Sequence, residues 1–201
     1  MSEDLIANVN KASMKIAALS CSEREELFTS IDKVGRKYLE IQSFLRLENL
    51  LDDTEVAKNF RRTFNSFYQV RRNEQWRNQF YGLFQELRRV EQDLLSFENV
   101  LRELHHRTNQ WEYSFSTKLL HTIDTTRSII DRKVMEFLEV PFRGQRNEET
   151  LSAHYQNYEA IIKRLLATKV VEDILSEFDT RLPILRDISD TKKLDFVLWK
   201  S

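Results

Sequence analysis

Residues 113–138 read YSFSTKLLHTIDTTRSIIDRKVMEFL, and this stretch contains two apolar helical patterns separated by a short polar turn. The turn, DTTRS at 124–128, consists mainly of residues whose short side chains bond nearby backbone groups. It lies between Lys118, in the first predicted helix, and Asp131, at the start of the second. The stretch therefore predicts two helices with a tight connection, and places a lysine before the turn and a carboxylate after it.

The composition of the 201-residue chain indicates an almost wholly helical protein. It contains 3 glycines and 2 prolines, far fewer than a sheet protein of this length needs for its turns, and 31% of its residues are charged. Apolar residues recur at the three- and four-residue spacing of a helix. We expect one all-α domain, a compact multi-helix bundle over residues 1–201, with a division into residues 1–110 and 111–201 as the alternative.

Several classes of protein are disfavoured by the same composition. A single cysteine, Cys21, excludes an internal disulfide, and no apolar segment has the length of a signal peptide or a membrane span. We therefore expect a cytoplasmic protein with no membrane partner. The histidines and the cysteine show no metal-ligand spacing, and the three isolated glycines form no phosphate-binding loop, so neither a metal nor a cofactor is predicted.

Residues typical of helix N-termini predict where four helices begin. Ser22 followed by Glu25 has the spacing of a capping box for the second helix. Thr54, Asn73 and Asn147 are the expected caps of three later helices. The helix that follows Asn73 is predicted to be long, because its apolar pattern continues from residue 76 through 94 to 104.

The second helix carries a heptad-like apolar seam. Its positions follow alternating spacings of four and three residues, and they are Leu27, Ile31, Val34, Tyr38, Ile41 and Leu45. Such a seam is usually a contact inside a helical bundle. A homodimeric coiled coil is the alternative interpretation.

Residues 58–90 contain eight basic residues and two acidic ones, although the net charge of the chain is only −1. Arginines here could contact nucleic-acid phosphates while aromatic rings stack on bases. Alternatively, the aromatic residues form a core stripe, which their helical spacing favours, and the arginines are its solvated flank. Five arginines of this segment and three basic residues of the stretch 113–138 are predicted to contact nucleic acid. They are Arg61, Arg62, Arg71, Arg72 and Arg77, and Arg127, Arg132 and Lys133.

Two motifs in the opening stretch, FSTKLLH at 115–121 and IIDRKV at 129–134, resemble bacterial proteins with a helix-hairpin-helix DNA glycosylase-like fold of the 8-oxoguanine type. The shared pattern is a Thr-Lys or Ser-Lys on an apolar helix, an aromatic residue or histidine three residues later, and Ile-Asp or Leu-Asp opening the next helix. The segment KKLDFVLW at 192–199 is similar to the end of such proteins. The resemblance implies a glycosylase-like core in the C-terminal half.

The resemblance also implies roles for individual residues. Lys118 would be the nucleophile that attacks the sugar C1′, and Asp131 would stabilise the charge that develops on that sugar. Trp111 and His121 would form the walls of a pocket for an extruded base. The chain departs from the family at residues 108–117, where it has no glycine-rich turn to hold a DNA phosphate.

Two functions remain open at this point. The first is a bacterial or phage protein that binds DNA in the manner of a helix-hairpin-helix glycosylase, with base excision by Lys118 and Asp131 as its enzymatic form. The second is a non-catalytic helical protein, of an accessory or defence type, that binds another protein. The resemblance of the hairpin and the basic segment 58–90 are the reasons for the first, and the near-neutral charge, the missing glycines and the heptad seam are the reasons for the second.

Overall fold

The computed structural model describes residues 3–46, 49–91 and 95–201. Within these ranges the chain forms ten α-helices and one short 3-10 helix at Pro183–Leu185, and it forms no strand. The prediction of an all-α protein is confirmed. The helices are α1 (Glu3–Ala17), α2 (Cys21–Phe44), α3 (Glu55–Phe67), α4 (Glu74–Leu87), α5 (Phe97–Thr108), α6 (Tyr113–Ile123), α7 (Arg132–Phe137), α8 (Glu148–Leu166), α9 (Lys169–Arg181) and α10 (Asp190–Lys200).

The chain divides into two compact units. The first unit contains Met1–Lys33 and Thr125–Ser201, and the second contains Val34–Asp124. One of the two divisions therefore falls inside the stretch 113–138, so that α6 belongs to the second unit and α7 to the first. The expected single domain, with its alternative boundary after residue 110, stays a prediction.

Three of the four expected helix caps are confirmed. The side chain of Thr54 accepts a hydrogen bond from Ala57 N, and that of Asn73 accepts one from Trp76 N. Asn147 forms a capping box with Thr150 at the start of α8. Each cap satisfies a backbone donor that has no partner within its helix.

The predicted cap of α2 is wrong by two residues. Ser20 Oγ accepts from Glu23 N at 3.3 Å, and Glu23 Oε2 accepts from Ser20 N at 2.8 Å. The Ser-x-x-Glu spacing occurs twice in succession here, so the spacing alone could not choose between the pairs. The second pair lies inside the helix, where Glu25 Oε1 instead accepts from Arg181 Nη1 at 2.5 Å.

The heptad seam of α2 is covered within one chain. Leu27, Ile31, Tyr38 and Ile41 are at most 4% exposed, and the other two positions are half-buried. Side chains that are already buried offer little apolar surface to a second copy. The burial therefore favours the intramolecular interpretation over a homodimeric coiled coil.

The long helix predicted for residues 76–104 is two helices. α4 ends at Leu87 and α5 begins at Phe97, with Ser96 Oγ accepting from Asn99 N at 3.2 Å as its cap. Residue 94, which was assigned to that helix, lies outside the described residues. Apolar spacing continues in register on both sides of the break, which is why the periodicity predicted a single helix.

Aromatic side chains fill the core of the second unit. Phe60, Phe64, Phe80 and Phe84 are all 0% exposed. The centroid of the Phe64 ring lies 5.6–5.8 Å from those of the other three, a spacing at which edge and tilted ring contacts are favourable. The interpretation of the aromatic stripe as core is therefore confirmed.

The end of α7 is linked to α1 by ion pairs in the first unit. Glu139, just beyond α7, accepts from Lys11 Nζ at 2.8 Å and from Lys15 Nζ at 3.0 Å. Lys15 also donates to Phe137 O at 2.8 Å. These bonds to Lys11 and Lys15 lower the pKa of the Glu139 carboxyl to about 2.

We expect the Glu139 carboxyl to titrate near pH 2 in a side-chain NMR titration, below its ordinary value of 4.5. Because the folded-state pKa is depressed, the stabilisation is fully present above pH 4.5 and is lost as the pH falls toward 2. Lys15→Ala should raise this pKa, whereas Lys163→Ala, at an exposed lysine of α8, should leave it unchanged. A wild-type midpoint near 4.5 would contradict the ion pairs.

Candidate functional site

The residues predicted to form a site are divided between the two units, and each group is described within its own unit. The second unit contains Lys118, Trp111, His121 and the arginines at 61, 62, 71, 72 and 77. The first unit contains Asp131 with Arg127, Arg132 and Lys133. The predicted lysine and carboxylate thus belong to different units.

Lys118 is a half-buried residue of α6 whose ammonium group lies among aromatic rings. Its Nζ is 5.1 Å from the ring centroid of Phe115 and 5.9 Å from that of Tyr68. The faces of aromatic rings attract cations, and the attraction grows where water is partly excluded. Lys118 therefore lies within cation–π distance of two aromatic rings.

Arg72 approaches the same Phe115 ring. The guanidinium carbon of Arg72 lies 5.7 Å from the Phe115 centroid and 5.5 Å from the Trp76 ring. Phe115 is half-buried, and the centroid of its ring also lies 4.9 Å from that of Trp76 and 6.2 Å from that of Phe80. Two cations thus flank one half-buried aromatic residue.

A buried carboxylate holds Arg72 in this position. Glu112 is 5% exposed, and its Oε2 accepts from Arg72 Nη2 at 2.8 Å while its Oε1 accepts from Trp76 Nε1 at 2.9 Å. Glu112 stands at the N-cap position of α6, yet its side chain makes no capping bond there. We call Tyr68, Arg72, Trp76, Glu112, Phe115 and Lys118 the Phe115 cluster; its two cations and one carboxylate give a net charge of +1.

Sequence reasoning missed Glu112. The one local signal was an acidic residue immediately before an apolar helix, a place where an acidic residue is ordinarily expected to interact with the helix N-terminus. Its partners Arg72 and Trp76 lie 40 and 36 residues earlier in the chain.

The other predicted arginines of the second unit do not all face an open surface. Arg61 Nη1 donates to Leu50 O at 2.5 Å and to Asp52 O at 3.2 Å, and thereby holds the loop before α3. Arg62 forms an exposed ion pair with Glu55 at 3.1 Å. Arg71 is exposed and Arg77 is half-buried. The role of Arg61 is therefore structural, and the basic excess of this segment is only partly available to a ligand.

Trp111 and His121, the predicted pocket walls, lie in different environments. His121 is 0% exposed, and its Nε2 is 3.2 Å from the Tyr38 hydroxyl. Trp111 is half-buried and stacks on His105 with a centroid distance of 3.8 Å and parallel rings. A base could reach the His121 ring only after the surrounding side chains moved. The pocket role of both residues stays a prediction.

The polar turn after α6 is fixed in the first unit by side chains of α8. Glu159 Oε1 accepts from Ser128 N at 2.7 Å and from the Tyr155 hydroxyl at 3.0 Å. The Tyr158 hydroxyl donates to Ile129 O at 3.0 Å. These bonds satisfy backbone groups of an irregular segment that is largely buried. The turn residues therefore have a clear structural role.

Asp131 caps α7, as its position in the sequence predicted. Its Oδ1 accepts from Lys133 N at 2.9 Å. Arg127 Nη1 lies 3.8 Å from Glu159 Oε2, and Arg132 Nε lies 3.9 Å from Glu136 Oε1. The proposed catalytic role of Asp131 is not needed to explain its placement, and it stays a prediction.

Two lysines lie near the Trp199 ring in the first unit. The Nζ of Lys200 lies 4.3 Å from the Trp199 ring, and the Nζ of Lys133 lies 5.6 Å from it. Burial lowers the pKa of Lys200, and the charges of Lys133 and Lys33 lower it further. We call Lys133, Trp199 and Lys200 the Trp199 cluster. The sequence identified only Lys133 among them.

No protein-family model, curated protein or solved structure matches this chain. In the described ranges, no group of three or more histidine, cysteine, aspartate or glutamate side chains is arranged to hold a metal ion. None of the helices there combines the length and the apolar character that crossing a membrane requires. The functional proposals below therefore rest on the chemistry of the chain's own residues.

Proposed function

We propose that this protein binds nucleic acid through the Phe115 cluster, as a helix-hairpin-helix glycosylase-like protein would, with single-stranded or locally unpaired DNA as its preferred ligand. One observation carries the proposal: the half-buried Phe115 is flanked by Arg72 and Lys118. An aromatic face can stack on any base, and neighbouring cations can contact the phosphates on either side of it.

Two further properties of the cluster support this function. Glu112 holds the Arg72 guanidinium in place, so less side-chain entropy is lost when a ligand binds. Stacking on Phe115 requires a base that is free of its neighbours, which an intact duplex does not offer. We therefore expect binding to single strands to exceed binding to duplex DNA, and to weaken as salt rises.

The test is fluorescence anisotropy with a labelled single strand and the matching duplex, measured at several salt concentrations. Phe115→Ala should raise Kd for the single strand by about 5- to 150-fold, the effect of losing one stacked base of about 1–3 kcal/mol. Lys118→Ala should reduce the slope of log K against log salt by about 0.7–1, because one phosphate contact is lost.

Lys37→Ala provides the matched control, since Lys37 is an exposed lysine of α2 in the same unit. It should change neither the affinity nor the salt slope. Undetectable binding of both strands at low salt would contradict the proposal. Equal effects of Lys37→Ala and Lys118→Ala would show that binding is not localised at Phe115.

Base excision is a second candidate function, supported by the resemblance of residues 115–134 to glycosylases and by the half-buried position of Lys118. In that reaction the neutral Lys118 amine attacks the sugar C1′, the base departs, and a Schiff base forms that borohydride reduces to a stable adduct. The attacking group is the neutral amine, because an ammonium nitrogen has no lone pair to form the new bond. Borohydride trapping on a panel of damaged oligonucleotides, with Lys118→Ala as the control, tests this step.

The alternative proposal is a non-catalytic protein that binds another protein. The use of Arg61 to hold a loop favours this alternative, because it reduces the cationic surface that a nucleic acid could contact. The covered seam of α2 does not supply the partner surface. Absence of nucleic-acid binding at low salt, in protein that unfolds cooperatively, would favour this alternative.

A further inference from the structure

A cavity of 390 Å³ lies in the first unit, between the first turns of α2 and the end of α10. This volume is within the range of about 300–1,000 Å³ that is usual for small-molecule sites. Leu19 and Leu27 form an apolar part of the wall, Glu23 and Glu26 contribute carboxylates, and Lys200 contributes an ammonium group. The three α2 residues share one helix face because they are three and four positions apart. The cavity therefore combines apolar surface with charges of both signs.

The charged groups of the cavity are not neutralised by ion pairs. Glu23 Oε2 accepts from Ser20 Oγ at 2.7 Å and from Ser20 N at 2.8 Å, and these bonds lower the pKa of the Glu23 carboxyl. Within the described ranges, neither Glu26 nor Lys200 takes part in an ion pair. Since Glu23 already has polar partners, the two charges that remain for a ligand are one carboxylate, Glu26, and one ammonium, Lys200.

Two hydroxyl groups complete the cavity wall. Ser30 Oγ donates to Leu27 O at 2.8 Å, and Ser201 Oγ donates to Val197 O at 2.7 Å. Each hydroxyl hydrogen is thus used within its own helix region, and each hydroxyl oxygen keeps its capacity to accept. The polar wall therefore offers acceptors to a ligand that carries N–H donors.

We propose that this cavity binds a free α-amino acid with an apolar side chain. The ammonium of the ligand pairs with Glu26, its carboxylate pairs with Lys200, and its side chain packs on Leu19 and Leu27. A simple amine would be repelled by Lys200, and a simple carboxylate would be repelled by Glu26 and Glu23. A zwitterion is the ligand that matches both signs of charge. This inference does not depend on nucleic-acid binding.

Isothermal titration calorimetry at constant ionic strength tests the match with four probes. They are L-leucine, 3-methylbutylamine, which lacks the carboxylate, 4-methylpentanoate, which lacks the ammonium, and glycine, which lacks the side chain. L-Leucine should bind more tightly than each of the others by about threefold or more, because each of them loses one class of contact. If L-leucine does not bind at millimolar concentration, or if any of the other three binds as well as L-leucine, the proposal is overturned.

Two variants assign the charges to their partners. Glu26→Gln should weaken L-leucine binding by about three- to tenfold and remove the advantage of L-leucine over 4-methylpentanoate. Lys200→Gln should weaken it by a similar factor and remove the advantage over 3-methylbutylamine. Glu149→Gln and Lys163→Gln, at exposed residues of α8 in the same unit, should leave binding unchanged. Unaltered L-leucine binding in Glu26→Gln or in Lys200→Gln would overturn the proposal.

The indole N–H signals in NMR spectra locate the bound amino acid. Lys200 Nζ lies 4.3 Å from the Trp199 ring, so L-leucine should shift the Trp199 signal. Trp76 and Trp111 lie in the second unit, and their signals should not move. Phe115→Ala should bind L-leucine as the wild type does, so failure of this site and failure of the Phe115 cluster give different results. Shifts at Trp76 or Trp111 without a shift at Trp199 would overturn the assignment.

Discussion

Lys192→Met should destabilise the protein by about 3–5 kcal/mol, the cost of breaking a buried ion pair by removing one partner. Lys192 is only 2% exposed, and its Nζ lies 2.6 Å from Asp195 Oδ2 and 4.3 Å from the Phe196 ring. Methionine keeps most of the length and the apolar contacts of the side chain. It leaves the Asp195 carboxylate, whose side chain is 14% exposed, without this positive partner.

Urea unfolding followed by far-UV circular dichroism and by tryptophan fluorescence measures this loss. Two probes are needed because the two units can unfold in separate steps. Adding Asp195→Leu to Lys192→Met should recover most of the stability, since the carboxylate that lost its bond to Lys192 is removed as well. Lys163→Met, at an exposed position, should change stability by less than about 0.5 kcal/mol. A similarly small effect of Lys192→Met would contradict the buried pair.

Glu112→Ala should destabilise the second unit by about 3 kcal/mol. The substitution removes a charge-assisted bond to Arg72 and leaves the buried Trp76 indole N–H without its acceptor. A bond to a charged group contributes about 1.5–3 kcal/mol, and an unsatisfied buried donor costs about 1–3 kcal/mol. Urea unfolding, monitored by the fluorescence of Trp76 in a variant with the other tryptophans replaced by phenylalanine, measures the change.

Glu112→Gln separates the charge of Glu112 from its role as an acceptor. The amide oxygen can still accept from Trp76, so we expect a smaller loss of about 1–2 kcal/mol. Because Arg72 would be less firmly held, single-strand affinity should also decrease in this variant. Wild-type stability in Glu112→Ala would show that the bonds to Arg72 and Trp76 contribute little.

Local signals predicted much of the helical structure. Thr54, Asn73 and Asn147 cap helices as expected, because a cap depends on residues three positions apart. Local signals also explain the two wrong predictions, because they involve only residues close together in the sequence. Two successive Ser-x-x-Glu pairs occur at the start of α2, and either could have been the capping box. The apolar spacing continues across the break between α4 and α5, so it did not reveal that break.

The candidate sites depended on contacts that local patterns do not contain. The sequence singled out Lys118, but the bonds of Glu112 to Arg72 and Trp76 join residues that are 36 to 40 positions apart. Lys133 and Lys200 meet at the Trp199 ring only because α7 and α10 fold into one unit. Spacing along a helix carries no information about such pairs.

The division of the chain also has a consequence for the order in which the protein can fold during synthesis. The second unit is one continuous segment, residues 34–124, whereas the first unit needs both residues 1–33 and residues 125–201. A ribosome therefore completes the aromatic core of the second unit while α8, α9 and α10 are still untranslated. Until those helices emerge, α1 has no α8 or α9 to cover its apolar face, and its buried positions such as Ile16 remain exposed to chaperones and to aggregation.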